Sequence, residues 1–393
     1  MTYFSTYFWK VVICSIIFFM LTGCWDQKDI SQLAIVDLVG FEKDERTDEF
    51  IVYFQVVYPS GTASQEKSIE ASPVYTISSR HTSLKEAVEL ASLKLPRKLF
   101  FAKTRVILLS QQLTPKDLTE IFNFLERFRE TRGSILMAVS TSPLEETMYT
   151  MTKLNVVPGA WIFSNFQNVQ KQYTATDMNY RIRDVVEHFF NEGNVLFPAI
   201  TTTDSNTDQA STDSLHSMDA SEGMFQLEGG IAFQNKGEPV KFSIKDMTMY
   251  HLLMNRLDQI PLTLKEENGL PEQYIELTEC TVQDKKLKKK SIPSYQFDVF
   301  CKAQYLNSKG TVNLNLPTIN KLEKMAEKQL EAQIGSFIAK LKEEDIDLLK
   351  LTTNLPKEDK NIKLKEVKVN VKTKVIFNEV GNITNPYKEE EGG

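Results

Sequence analysis

Histidine and cysteine are scarce, with four of each in 393 residues. No histidine stands in an HExxH pattern or at metal-ligand spacing from a cysteine, so no metal centre is expected. The sequence also lacks the GxSxG elbow, the P-loop and the GxGxxG turn that position nucleophiles, phosphates and dinucleotides. Its glycine pairs read as turns. Acidic residues are plentiful but spread out, and no pair of them can be singled out for acid–base work. His188 and His251, on helix-like stretches beside aromatic or leucine residues, read as packed or surface imidazoles. The expectation is a chain that is not an enzyme and takes no cofactor. An excess of basic charge is missing as well. The net charge of −6 argues against nucleic-acid binding, which normally shows as a basic domain.

Long apolar runs are also absent. Val11–Leu21 holds 11 residues and is closed on its N-terminal side by Lys10, where a membrane-crossing helix needs about 20. One basic residue, a short apolar core and then small residues have the shape of a secretory signal peptide. Its end, Leu21-Thr22-Gly23-Cys24, resembles the lipobox of bacterial lipoproteins. That resemblance implies that residues 1–23 are cleaved away and that the Cys24 thiol carries a diacylglycerol. The small Thr22 and Gly23 let an extended backbone enter a narrow peptidase cleft. A short uncleaved anchor helix is the alternative.

What is present reads as globular, with 41% hydrophobic and 25% charged residues and too much chain for one core. "AIVDLVGFE" and "EFIVYFQVVY" around the charged "KDERTD" predict a hairpin, and polar residues 60–72 a loop. Three helix starts follow: Ser83 with Glu86 reaching back as a capping box, Thr114 with Pro115, and Ser142 with Pro143 and Glu145. The second helix is expected to run to Gly133 with Leu118, Ile121, Phe122, Leu125 and Phe128 on its core face. "TRVILLS" and "SILMAVS" read as buried strands, and "YRIRDVVEHFFNEG" as a helix before "VLFPAI". Residues 201–222 contain 14 Ser, Thr or Asp and no Lys or Arg, too little apolar surface to offset ordering. They are read as a linker between a domain at 24–200 and a second at 223–387. A further division near 310 is left open, and 388–393 form an acidic tail.

In the second half, Asn235-Lys236-Gly237 reads as a turn between two strands, followed by a helix. Cys280 and Cys301 lie in strand-like runs around the lysine-rich "KKLKKK" of Lys285–Lys290. A bridge across a hairpin and two separate buried thiols are both open. The lysine run reads as a solvated tip, with contact to anionic lipid or an acidic partner as its alternative. A helix over Ile319–Leu341 and a last strand "EVKVNVKTKVIF", alternating valine with lysine, close the pattern. The fold class expected is α+β, in two or three domains, each a mostly antiparallel or mixed sheet packed with amphipathic helices.

Cys24 followed by Trp25-Asp26, then the approach to "LAIVDLVGFEKD", resembles the start of the Ger(x)C family, the C subunits of spore germinant receptors. The likeness continues through "RKLFFAKTRVILLSQQLTPKDLTEIFNFLERFRETRGSILMAVS", with its Arg127, Glu130 and Arg132, and resumes at "LEGGIAFQNKGEPV". Ala102-Lys103, where family members often carry a histidine, and the acidic tail depart from the pattern. The resemblance implies a lipoprotein on the outer face of the spore inner membrane, held to the bilayer through diacylated Cys24. It also implies assembly with two integral membrane subunits into a receptor for nutrient germinants. Whether the chain itself touches a small molecule stays open. Arg127, Glu130 and Arg132 are candidate partner contacts, against an internal pairing of Arg127 with Glu130. From Cys24 to the first strand near Ala34 lie about ten residues, a reach of at most roughly 35 Å, which keeps the first domain close to the bilayer. A solute-binding lipoprotein of a transporter would usually show a longer tether and two similar lobes. An envelope hydrolase would need a catalytic constellation.

The lipobox generates a direct test. Cys24→Ala is expected to abolish incorporation of labelled lipid and to shift the chain out of the membrane fraction, because two acyl chains are what stable anchoring requires. A variant that still takes up label would refute the assignment.

Overall fold

The computed structural model describes residues 32–57, 74–150, 157–169, 180–203, 224–234, 237–257, 259–267, 270–287, 293–310, 312–352 and 362–379. Cys24, the 60–72 loop, Asn235, Lys236, Lys288–Lys290 and the acidic tail lie outside them.

The first sheet begins with β1 (Leu33–Asp44) and β2 (Glu49–Val57), the predicted hairpin, antiparallel and turned at Asp48 with φ 55°. It continues with β3 (Val74–His81), β4 (Lys98–Phe100), β5 (Val106–Ser110), β6 (Leu136–Ser140) and β7 (Asn194–Thr203). β8 (Met224–Gln234) and β9 (Val240–Phe242) complete it, in the order β3-β2-β1-β5-β6-β7-β8-β9 with β4 beside β1. The centre from β1 to β7 is parallel and both flanks are antiparallel. Every residue of β5 and β6 is buried, because a parallel centre is covered on both faces, and this is why these strands read as unbroken apolar runs.

On one face lie α1 (Leu84–Leu93), α2 (Pro115–Arg127) and α5 (Ile182–Glu192), which bury Val88, Phe122 and Phe189 against Phe41, Phe54 and Ile107. The other face receives α3 (Leu144–Tyr149), α4 (Pro158–Ser164) and α6 (Ile244–Leu253), and there Leu38, Val106 and Leu136 share one core with the second sheet.

Four local expectations are corrected. α2 stops at Arg127, six residues before Gly133, because Phe128 turns extended and sets its ring 5.1 Å from that of Phe101. Ser83 caps α1, but the return bond comes from another side chain: His81 Nδ1 accepts from Ser83 N at 3.1 Å, while Glu86 meets His81 Nε2 at 3.0 Å. Ser142 does not cap α3; its hydroxyl bonds Thr201 and Thr202 and ties the loop to β7. Gly229-Gly230 is likewise no turn. The pair lies inside β8, where a Cβ on Gly229 would stand 2.1 Å from the Phe242 carbonyl oxygen, and φ is +118°.

The second sheet has the order β10-β11-β12-β13, from β10 (Gln259–Leu264), β11 (Gln273–Leu287), β12 (Ser294–Ser308) and β13 (Lys368–Glu379). β12 and β13 are parallel, joined by the crossover helix α7 (Leu316–Glu343), so this sheet does not divide near 310. Nor do the sheets part at 201–222: β7 and β8, on either side of it, pair from Thr203↔Met224 to Asn194↔Gln234. Strand pairing closes the ends of that stretch together, and the boundary between sheets follows Phe242. The two cysteines are bridged, Cys280 to Cys301. The bridge sits where β11 bulges, with Glu279 at φ 46°. Nearby, Asn255 accepts from Val282 N at 2.8 Å and donates to Val282 O at 3.0 Å, filling the place of a neighbouring strand.

β13 is an edge strand, and three of its outward N–H groups are occupied. Phe377 N, Val375 N and Thr373 N donate to Glu323, Glu327 and Glu331 of α7 at 3.0, 3.2 and 3.0 Å. Charge-assisted bonds of this kind contribute about 1.5–3 kcal/mol each when buried and less at a partly wet edge. Glu327→Ala is therefore expected to lower unfolding free energy by about 1–2 kcal/mol in chemical denaturation. Replacing all three glutamates by alanine should add concentration-dependent self-association, read by light scattering, since a bare edge templates pairing. A triple variant with parental stability and mass would show the carboxylates to be dispensable.

Candidate functional site

The segment carrying Arg127, Glu130 and Arg132 does not form one helical face. Arg127 is the last residue of α2, whereas Glu130 and Arg132 follow in the loop that leads to β6. Glu130 turns inward: its carboxylate accepts from Phe101 N at 3.3 Å and stands 3.9 Å from Lys98 Nζ, fixing β4 to the loop. Arg127 is exposed, as is Arg132, and among the described residues Arg127 makes no ion pair.

Arg127 instead borders a groove of about 590 Å³ between α1 and α2. Leu84, Val88, Phe124 and Phe128 supply its apolar surface, and Lys85, Glu89 and Glu120 stand with Arg127 around it. The groove arises from packing. α1 and α2 each commit one side to the sheet, and where they diverge the ring of Phe124, stacked on Phe128 at 5.3 Å, is left half-covered.

A second concavity, about 310 Å³, lies where α5, α6 and the chain after α7 meet. Tyr180, His188, Tyr250 and Arg256 line it together with Asp184, Glu187 and Asp347. Asp347 is engaged locally, accepting from Leu351 N and Thr352 N at 2.7 Å each. Behind it His251 is fully buried, its Nε2 2.9 Å from the Tyr180 hydroxyl and its Nδ1 without a partner among the described residues. Burial, helped by Arg256, pushes the His251 pKa down to about 3, so the imidazole is neutral. The expected packed imidazole is thus found at His251.

Sequence reasoning missed an ion pair with a buried carboxylate. Asp37 of β1 is 1% exposed and bonds the Arg105 guanidinium, yet burial outweighs that partner and raises its carboxyl above the usual range. A Cβ on Gly159, at the start of α4, would stand 2.3 Å from Asp37 Oδ2, so only glycine fits there. The signal in the sequence is a lone aspartate inside the apolar run "LAIVDLVGF". Among the described residues no group of three His, Cys, Asp or Glu is placed to hold a metal ion, and no helix is long and apolar enough to cross a membrane.

His251 sets a pH test. In the unfolded chain it takes up a proton below about pH 6.5, whereas in the folded chain it does so only near pH 3. Its contribution is therefore present above pH 6.5 and lost as pH falls toward 3, at up to about 1.4 kcal/mol per pH unit. His251→Gln, which keeps a partner for Tyr180, should flatten the dependence of unfolding free energy on pH between 6.5 and 4.5. Equal slopes in the two proteins would show the imidazole to be open to solvent.

Comparison with known proteins matches this architecture. Residues 26–202 fit the spore germination protein N-terminal domain, and residues 228–381 fit the spore germination B3/GerAC-like C-terminal domain. Spore germination protein KC of Bacillus subtilis is 23% identical over 94% of this chain and 95% of its own length. The putative spore germination protein YfkR of the same organism is 23% identical over 39% of this chain and 41% of its own. The crystal structure of the GerBC protein superposes with a TM-score of 0.50 over 89% of this chain and all of that one, at 16% identity, which is a likeness of fold. The chain belongs to the GerAC-like, or Ger(x)C, family of spore germination proteins.

Proposed function

We propose that this chain is the lipid-anchored C subunit of a nutrient germinant receptor. It is held on the outer face of the spore inner membrane through diacylated Cys24 and assembles there with two integral membrane subunits. Its role is association and not turnover. Family membership carries the reading, and the Leu21-Thr22-Gly23-Cys24 ending supports the anchor. The Cys280–Cys301 bridge supports export, since structural disulfides persist in oxidising compartments and are rare in the reducing cytosol.

In this reading the groove between α1 and α2 is a contact for a partner subunit, with Arg127 and Arg132 on the partner side and Glu130 holding the loop from within. An apolar floor with an exposed guanidinium at its margin matches the residue types on which interfaces concentrate their energy. Loss of a desolvated guanidinium contact costs on the order of 2 kcal/mol or more in association. Loss of an exposed one costs the fold little.

Arg127→Glu tests the assembly. The melting temperature should stay within about a degree of the parent's, because Arg127 makes no ion pair among the described residues, while retention with the membrane subunits in detergent extracts of spores should fall at least about tenfold. A lowered melting temperature with full retention would assign Arg127 to the fold alone. Full retention at unchanged melting would remove the groove from the interface.

A further inference from the structure

The second sheet has one face in the common core and the other bare. Val299, Cys301, Ala303 and Val375 point inward and are fully or almost fully buried. By strand alternation, Phe300 and Lys302 of β12 and Lys372, Lys374 and Ile376 of β13 share the outer face. Phe300 is 38% exposed and Ile376 41%, a large apolar pair left in water. The register sets them diagonally: Phe300 stands opposite Lys374, and Lys302 opposite Ile376. Lys372 lies opposite Asp298 and Lys368 opposite Ser294, while Lys285 of β11 borders the same patch opposite Gln296.

Three acids at this face are engaged, whereas Glu276, opposite Gln304 on the same face, makes no ion pair among the described residues. Asp298 holds Lys285 at 2.7 Å, and Glu279 at the bulge holds Lys302 at 2.5 Å. Lys374 leans on Glu327 at 3.1 Å. Lys368 and Lys372 make no ion pair among the described residues. The patch is therefore positive around an apolar centre, although the chain as a whole carries −6. In sequence, Lys288–Lys290 extend the basic run beyond Lys286.

We propose that this outer face docks flat on an anionic phospholipid surface, with Phe300 and Ile376 entering the headgroup boundary and the lysines meeting lipid phosphates. Three observations select a bilayer over a protein partner. A sheet face presents no groove into which a protein anchor could be set. Its cations are all lysine, since Arg256 is the last arginine of the chain, and lysine is a compact point charge suited to diffuse headgroups, where carboxylate recognition favours the arginine fork. The apolar pair lies inside the basic field, the combination by which peripheral surfaces bind membranes. Strand addition along Thr373–Phe377 is blocked, because those edge amides are taken by Glu323, Glu327 and Glu331. The inference does not rest on a lipid at Cys24.

The test uses residues 24–393 with Cys24→Ser, which contain every described element and carry no lipid. Cosedimentation is measured with vesicles of equimolar phosphatidylglycerol and phosphatidylcholine, and with phosphatidylcholine alone. The parent should pellet with the anionic vesicles, not with the neutral ones, and should be released by salt. Each lysine contributes about fivefold to partitioning, so the double variant Lys368→Glu/Lys372→Glu should lose at least about 25-fold. Phe300→Ser/Ile376→Ser should weaken binding while keeping its salt dependence. The control Lys116→Glu/Lys245→Glu, on α2 and α6, should bind as the parent does. The positions are exposed, and unchanged melting of each variant certifies its fold. Failure of the parent to bind anionic vesicles, equal binding to neutral ones, or parental binding by the lysine reversals would each overturn the proposal. Loss of the membrane subunits on those reversals in detergent, without vesicle binding by the parent, would assign the face to a protein partner and overturn it too.

Discussion

Three carboxylates set four residues apart on one helix hold the last strand of this protein. Four residues of α-helix advance about 6 Å and two residues of strand about 6.7 Å, so Glu323, Glu327 and Glu331 stay in step with the amides of Phe377, Val375 and Thr373. The match requires α7 to lie alongside β13. An edge that would otherwise offer a row of free donors becomes an internal seam.

With α7 placed by its glutamates, its apolar stripe determines how the two sheets meet. Leu322, Met325, Leu330, Ile334, Phe337 and Leu341 are buried on one side, and the ring of Phe337 stands 6.1 Å from that of Phe242 in β9. Lys340 completes the junction, 3.1 Å from Asp246, the capping acid of α6, and 4.8 Å above the Phe242 ring. Asp246 is held below the usual carboxylate range by its cap bonds and by Lys340, despite its burial. One helix thus seals an edge, fills the space beneath the second sheet and clamps that sheet to the first. The cysteine bridge and the Asn255–Val282 bonds repair the irregular middle of β11, which leaves α7 to carry the long-range contact.

The parts of this design that follow a short period were legible in the sequence. Alternation exposed β13, branched and aromatic runs around a charged turn exposed β1 and β2, apolar runs exposed β5 and β6, and the caps at Ser83 and Thr114 marked real helix starts. What stayed hidden were partners distant in the chain. Nothing near Glu327 announces that its acceptor will meet Val375, 48 positions on. Nothing in the polar 201–222 stretch shows that the strands beside it are neighbours in one sheet. Phe128 continues the apolar spacing of α2, but its ring is taken by Phe101, and this tertiary contact ends the helix where local propensity would extend it. At the candidate site the result was mixed for the same reason. The exposed Arg127 follows from helical spacing, whereas the inward turn of Glu130 depends on the backbone of β4.

The closed edges also constrain how another molecule can be held. β10 is blunted by Pro261, which has no amide to donate, and by Gln329 of α7, which bonds the Thr263 carbonyl at 2.9 Å. Strand addition is therefore obstructed at both borders of the second sheet. Recognition there must act through side chains on the outer face, where a rigid array of lysines around Phe300 and Ile376 is held in place by the strands beneath. On the first sheet the groove between α1 and α2 lies on the helical layer, outside the seam that α7 makes with β9. A partner seated in it would meet side chains whose backbone is fixed by the sheet below. Its binding energy would then go into association, because neither helix has to be reordered to receive it.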